Sequence, residues 1–287
     1  MTPSTAYRQA LADARSLLFV PGNRPERFHK ALASGADAVV LDLEDSVPAA
    51  EKPAAREAIG RSWTELQAAG LPLVIRIHAL PSPLGDDDLA WLETIAAPAA
   101  VMVPKAESRA SLEAVAARWP ASALLPLIET AAGHAALAEI AAAAGVLRLV
   151  VGHIDFMADT GMRCSDDEGE LAPLRFAVAM ATRLAGLAPA IDGVTVDIAN
   201  GERLRTDTLR AQRFGFGGKL CIHPRQVAVV HAAMAPSADE LAWARRVITA
   251  DAGSGGAAVQ LDGRMVDRPV VLQAQRILAR SRRSSVG

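Results

Sequence analysis

A chain of 287 residues, 51% of them apolar, can bury a large core, and a length of this order is often spent on one barrel domain. Its 30 Lys and Arg against 32 Asp and Glu leave a formal charge of −2, so no basic field recruits nucleic acid or a membrane surface; a small-molecule partner is expected. The cysteines, Cys164 and Cys221, form no CxxC or Cys/His cluster, there is no basic-then-apolar leader, and no apolar run approaches a membrane span, so a reducing, cytoplasmic setting is expected.

In chain order, short β-rich runs alternate with helix-length, alanine-rich stretches. Strands are predicted at Ser16–Pro21, Ala38–Leu43, Leu73–His78, Ala100–Pro104, Leu124–Glu129, Leu147–Gly152, Gly193–Val196 and Lys219–His223. Helices are predicted at Pro25–Ser34, Lys52–Ala69, Asp88–Ala96, Ser108–Arg118, Ala131–Ala144, Leu171–Leu187 and Asp207–Phe214. Eight βα units in succession specify a (β/α)8 barrel over residues 1–235, with reactive groups at the C-terminal strand ends. A doubly wound open sheet is the competing fold, but no G-x-G-x-x-G follows the first strand.

Residues 236–287 read as an extension not needed to close a barrel. It comprises a helix Pro236–Ala250, a flexible stretch Ala252–Gly256, a hairpin Val259–Val266 with an Asp-Gly turn, a helix Val270–Arg280 and a solvated, frayed tail Arg280–Ser285. A glycine-jointed extension of this kind fits a lid, or an arm over a neighbouring subunit.

Polar residues gather at the predicted strand ends: Asp42, Glu44 and Asp45 on the second, Arg76 and His78 on the third, and Lys105 after the fourth. Glu129 ends the fifth, His153 and Asp155 follow the sixth, and His223 ends the eighth. Charges at the ends of oily strands are costly to bury unless they pair or coordinate an ion. Glu44 and Asp45 could equally cap the next helix, His223 could be a satisfied histidine at a strand-helix junction, and Lys105 could simply pair with an acid. Glu129 and Asp155, each isolated after an apolar run, fit that bland reading poorly. Two carboxylates at one rim suit Mg²⁺, which keeps waters and accepts substrate oxygens. Arg76 beside them could bind a carboxylate or an enolate oxygen, a set suited to carbon-carbon bond chemistry.

The segments Arg15-Ser16-Leu17-Leu18-Phe19-Val20-Pro21-Gly22, Val40-Leu41-Asp42-Leu43-Glu44-Asp45-Ser46-Val47 with Lys52 and Arg56, Val103-Pro104-Lys105, Ile128-Glu129-Thr130 and Cys221-Ile222-His223-Pro224 resemble the citrate lyase β-subunit-like members of the HpcH/HpaI aldolase superfamily. The resemblance runs in order from about Arg15 to Pro269. It implies a TIM barrel, a homotrimer, and Mg²⁺-dependent cleavage or formation of a C–C bond in a β-hydroxyacyl-CoA thioester of malyl, citramalyl or citryl type. It further implies that Glu129 and Asp155 are metal ligands, with Glu129 also facing the substrate. Arg76 would bind substrate and stabilise the enolate, and Asp267 would be catalytic, riding on a lid that reaches a neighbouring subunit's site; Glu44, from its place at a strand end, is a further catalytic candidate. Arg15, Arg24 and Lys30 look like thioester-side or phosphate contacts, and Lys105, from its place at a strand end, is a further substrate-binding candidate. Two departures stand out: relatives carry Gly-Ala-Glu-Asp where this chain has Gly152-His153-Ile154-Asp155, and Arg-x-Asn where it has Arg76-Ile77-His78. The alternatives are a 2-oxo-acid aldolase of the same superfamily, an acyl-CoA thioesterase, and a non-catalytic assembly subunit.

Overall fold

The computed structural model describes residues 3–254 and 258–284. Two compact units divide the chain at Val230/His231. In the first, eight parallel strands close into a barrel in sequence order: β1 (Ser16–Pro21), β2 (Ala38–Asp42), β3 (Leu73–Arg76), β4 (Ala100–Val103), β5 (Ala123–Ile128), β6 (Val150–Val151), β7 (Ile191–Asp192) and β8 (Gly218–Cys221). β8 returns to β1, pairing Leu17 with Leu220, so the sheet has no free edge. Strands covered on both faces read as continuous apolar runs, and every residue of β2, β3, β4 and β5 is buried. Leu17, Val40, Val74, Met102, Leu125, Val150, Ile191 and Leu220, from eight successive strands, pack into one core.

Several boundaries differ from the sequence expectation for physical reasons. β7 lies at Ile191–Asp192, ahead of the predicted Gly193–Val196. Asp192 looks too polar for a buried strand, yet Lys219 on β8 and Arg175 neutralise it at 3.2 and 3.1 Å. The helix predicted at Asp88–Ala96 spans Pro83–Leu92, because the Ser82 hydroxyl caps the Gly85 N–H and Pro83 fits the first turn. That predicted at Asp207–Phe214 begins at Gly201, capped by the Asn200 side chain on Arg203 N–H. The single helix predicted over Ala131–Ala144 is two short ones, Ala131–Ala135 and Leu137–Ala141. Helices Pro3–Asp13, His153–Thr160 and Pro224–Met234, the last crossing the division at Val230/His231, are additional to the predicted pattern.

The helix Pro3–Asp13 ends at the barrel floor. There Arg148, wholly buried, donates to the carbonyls of Leu11 (2.9 Å), Ala14 (2.6 Å) and Pro189 (2.6 Å). These carbonyls lie beside the N-terminal strand ends, so Arg148 ties the floor together at the end opposite the rim where barrels of this kind place their chemistry.

The second unit is built on the helices Ala238–Ser254 and Arg268–Ser284, whose Ala244, Val247, Val271, Ala274 and Ile277 share a core with Val266. Ser237 and Glu240 form a reciprocal cap, Ser237 Oγ accepting from Glu240 N–H and the Glu240 carboxylate accepting from Ser237 N–H. The hairpin β9 (Val259–Leu261) and β10 (Arg264–Val266) is antiparallel, and its turn residues Asp262 and Gly263 have φ of 48° and 75°, as a tight Asp-Gly hairpin turn requires. Ala252 to Ser254, expected as flexible, continue the first helix; Gly255 and Gly256 lie outside the described residues. The expected frayed tail is instead helical through Ser284, with Ser285 outside the described residues.

Candidate active site at the barrel mouth

The rim chemistry starts from a clamp between β2 and β3. Asp42 and Arg76 are neighbours in register, and their side chains meet through two bonds, Nε to Oδ1 at 2.6 Å and Nη2 to Oδ2 at 2.7 Å. Burial alone would push Asp42 up, but the bonds and charge of Arg76 outweigh it and hold the carboxyl below its usual range. The guanidinium also lies over the Phe19 ring, 4.8 Å from its centroid. Arg76 is thus fixed by a strand neighbour and an aromatic floor, leaving Nη1 directed at the mouth.

Glu44 meets that free edge. Its Oε2 lies 2.9 Å from Arg76 Nη1, an ion pair whose angle gives no hydrogen bond, and its Oε1 accepts from Lys105 Nζ at 2.9 Å. The loop carrying Glu44 is tied down by Lys52, buried beneath it, which donates to the carbonyls of Leu43 (3.2 Å) and Glu44 (3.0 Å). Burial raises the Glu44 carboxyl above its ordinary value, against the pull of Arg76 and Lys105.

Glu129, 1% exposed, follows β5, and its Oε1 accepts the Lys105 backbone N–H at 2.8 Å. Its carboxyl is pushed up to about 8 by burial and by the negative charges of Glu44 and Asp155. Asp155 projects from the first turn of the helix His153–Thr160 after β6, half-buried. A Cβ on Gly152, between β6 and this helix, would run into Glu129 Oε2, so glycine there makes the space the carboxylate occupies. Asp42, Glu44, Arg76, Lys105, Glu129 and Asp155 therefore converge at the C-terminal rim.

The residue set fits a hard divalent cation. Buried and partly buried carboxylates with mutually unfavourable charge are what such an ion relieves. Among the described residues no cluster of three or more His, Cys, Asp or Glu side chains is gathered as a ready-made cage. Two protein carboxylates leave room for water and for substrate oxygens, as Mg²⁺ prefers.

The other expected site residues make contacts of their own. Arg15 precedes β1 and pairs with Asp37 (3.0 Å) at the N-terminal end of the barrel, the end opposite the mouth, so the structure does not bring it to the site. Arg24 is exposed and pairs with Glu26 at 2.6 Å, and Lys30 is exposed on the helix Phe28–Leu32. Asp267 belongs to the second unit, where it is exposed and its Oδ1 accepts from Val270 N–H at 3.3 Å, capping the last helix. His223 accepts from Arg225 N–H at 3.1 Å, the junction role of a satisfied histidine.

Of the two departing histidines, His78 has a structural partner, whereas His153 Nδ1 is buried without a hydrogen-bond partner. His78 Nδ1 lies 2.6 Å from Asp88 Oδ2, which also accepts the His78 N–H, while Asp88 Oδ1 takes Arg56 at 2.8 Å. His153, 3% exposed, sits among Asp192, Glu168, Lys219 and Arg175, and burial lowers its pKa. Glu168 gathers Arg175, Arg203 and Arg210 at 2.6, 2.8 and 2.7 Å. The sequence reading named Asp42 among the strand-end acids without giving it a task, and it gave Lys52 none; their signal was an acid closing an otherwise apolar strand and a lysine ten residues on.

A family model described as HpcH/HpaI aldolase/citrate lyase matches residues 15–224. A citrate lyase subunit beta-like protein of Mycobacterium tuberculosis is 39% identical over 92% of this chain and 94% of its own length. A (3S)-malyl-CoA thioesterase of Cereibacter sphaeroides is 32% identical over 93% of this chain and 94% of its own. The crystal structure of CitE from Mycobacterium tuberculosis in complex with magnesium, acetoacetate and coenzyme A is similar with a TM-score of 0.82 and 38% identity, covering 94% of this chain and 99% of that one. With its closed eight-stranded barrel and a family match across all eight strands, the chain belongs to the HpcH/HpaI aldolase/citrate lyase family.

Proposed function

We propose that the protein is a Mg²⁺-dependent carbon-carbon lyase acting on a β-hydroxyacyl-CoA thioester of malyl, citramalyl or citryl type, which it cleaves to a 2-oxo acid and an acyl-CoA. The observation that carries this reading is the placement of Arg76, fixed by Asp42, at the same rim as Glu129 and Asp155. The magnesium and coenzyme A in the M. tuberculosis structure support it.

Glu129 and Asp155 would hold the ion, which when bound supplies Lewis-acid polarisation of the substrate's carboxylate and hydroxyl oxygens. Arg76 Nη1 and Lys105 Nζ, the cations now paired with Glu44, are the groups that receive negative charge from the substrate. Cleavage needs the hydroxyl proton removed, the C–C pair released to the thioester enolate, and that carbon protonated. Arg76 stabilises the enolate oxygen, and its clamp removes the cost of orienting it at that moment. Asp267 is assigned the proton exchange with the enolate carbon, delivered by the second unit of a neighbouring subunit in a homotrimer. A self-association surface is available: Phe176, Met180 and Leu184, spaced four apart on the helix Ala172–Leu184, are exposed. A cytoplasmic setting suits the free thiols Cys164 and Cys221.

Thioester hydrolysis is the second reading, because a relative at 32% identity is a malyl-CoA thioesterase. One experiment separates them: malyl-, citramalyl- and citryl-CoA are each incubated with Mg²⁺ or with chelator, and products are identified by mass. A 2-oxo acid with acyl-CoA, lost on chelation, is the expected result. Free CoA with the hydroxy acid intact would make the enzyme a thioesterase, and indifference to chelator would remove the metal from the mechanism.

A further inference from the structure

Lys105 is placed unlike any other residue of the rim. It is one of three non-glycine residues with positive φ among the described residues, at 46°, a backbone state that costs a side-chain-bearing residue free energy and persists where surroundings enforce it. What the conformation achieves is visible: Lys105 meets Glu129 twice. Its N–H donates to Glu129 Oε1 at 2.8 Å, and its own ammonium swings back to lie 3.9 Å from the same oxygen while bonding Glu44 Oε1 at 2.9 Å. A positive charge therefore stands between the two acids of the mouth, on a side chain 37% exposed and free to move outward.

We propose that the Lys105 ammonium is a built-in counter-ion that holds Glu129 in the metal-free enzyme and weakens the site for Mg²⁺ until an anionic substrate gives that ammonium another partner. The inference rests on the reading that Glu129 and Asp155 hold Mg²⁺. Its physical basis is Coulombic: a fixed positive charge within about 4 Å of a ligand oxygen repels an incoming divalent ion in a partly desolvated mouth. A substrate carboxylate would draw Lys105 off, so metal and substrate favour each other's binding and the empty site does not sequester cations. Reciprocity follows, since whatever substrate does for the metal, the metal does for substrate. The backbone N–H of residue 105 stays on Glu129 throughout and keeps the carboxylate aimed.

The test is calorimetric titration of MgCl₂, without substrate and at a pH above the value of about 8 at which the Glu129 carboxyl ionises, into the full-length wild type, Lys105→Met, Lys105→Gly and Glu129→Gln proteins. Lys105→Gly removes the ammonium while accepting the positive φ without strain, so it decides the matter if the Met variant fails to fold. Both lysine variants are expected to bind Mg²⁺ more tightly by at least about threefold. Affinity within that margin of wild type, or weaker, overturns the role of Lys105. The Glu129→Gln arm keeps the two failures apart. If it binds Mg²⁺ as wild type does, the metal site itself is misplaced and the inference falls with it; if it loses binding while the lysine variants match wild type, only the counter-ion role is lost.

Discussion

Asp42 and Arg76 are register neighbours on adjacent parallel strands and exchange two bonds of 2.6 and 2.7 Å, so the orientation of a candidate catalytic guanidinium is set by the barrel's own hydrogen-bond ladder. A flexible cation at the mouth would spend binding energy on becoming ordered; this one is ordered already.

Breaking the clamp from the acid side should therefore damage both fold and chemistry. Asp42→Asn is expected to destabilise the protein by about 3 kcal/mol, because it removes the charge that accepts both clamp bonds from a buried guanidinium and leaves only the Glu44 and Asp45 pairs. Arg76→Lys, which cannot make the paired contact, is expected to lower kcat by about 100-fold with a smaller change in melting temperature. Denaturant melts alongside steady-state kinetics check both, and Arg76→Lys retaining near-wild-type kcat would remove Arg76 from the chemistry.

Glu129 contributes to the pH response of the metal-free protein. Its folded pKa of about 8 lies above the ordinary 4.5, so the native state holds this proton more tightly than the unfolded chain does. Its contribution is fully present below about pH 4.5 and is lost as pH rises toward 8. In chelator, the wild type is expected to lose melting temperature across that window, by about 10 °C at most on this account. Glu129→Gln should flatten the loss and Mg²⁺ should offset it. A Glu129→Gln profile that tracks wild type in chelator would contradict the assignment.

Gly152 offers a test that touches no charged group. A methyl group there collides with Glu129 Oε2, so Gly152→Ala should displace the carboxylate and weaken Mg²⁺ binding by about tenfold or more while the barrel still folds. Circular dichroism and metal titration together read the two halves of this expectation.

Asp267→Asn is expected to cut turnover by about 100-fold with Mg²⁺ affinity unchanged, since this acid is assigned to proton exchange and not to the metal. Undiminished turnover would strike it from the mechanism. Mixing Asp267→Asn with Arg76→Lys protein adds a check on the neighbouring-subunit assignment: partial recovery of activity is expected only if the two residues act from different chains.

The barrel was legible because its strands are short, apolar and evenly spaced, and the closed strand order agrees with the count of eight βα units. Glu129 and Asp155 were legible as acids that such strands should not tolerate. β7 was misplaced because Asp192 is made tolerable by Lys219 and Arg175, partners 27 and 17 residues away that no local pattern reveals. Arg15 was assigned to the mouth through its motif, although a residue preceding β1 must emerge at the floor. His78 and His153 invited a reading as pocket groups, and only the structure shows Asp88 on one and the Asp192–Glu168 surroundings of the other.

The Arg148 junction bears on the order in which the molecule can be completed. Its guanidinium needs carbonyls from Leu11 and Ala14, 137 and 134 positions earlier, and from Pro189, 41 positions later. The helix Pro3–Asp13 is therefore made long before its anchor. The floor is thus a late and non-local step of barrel assembly: the Arg148 guanidinium gathers all three carbonyls only when the segments entering the first, sixth and seventh strands are in place together.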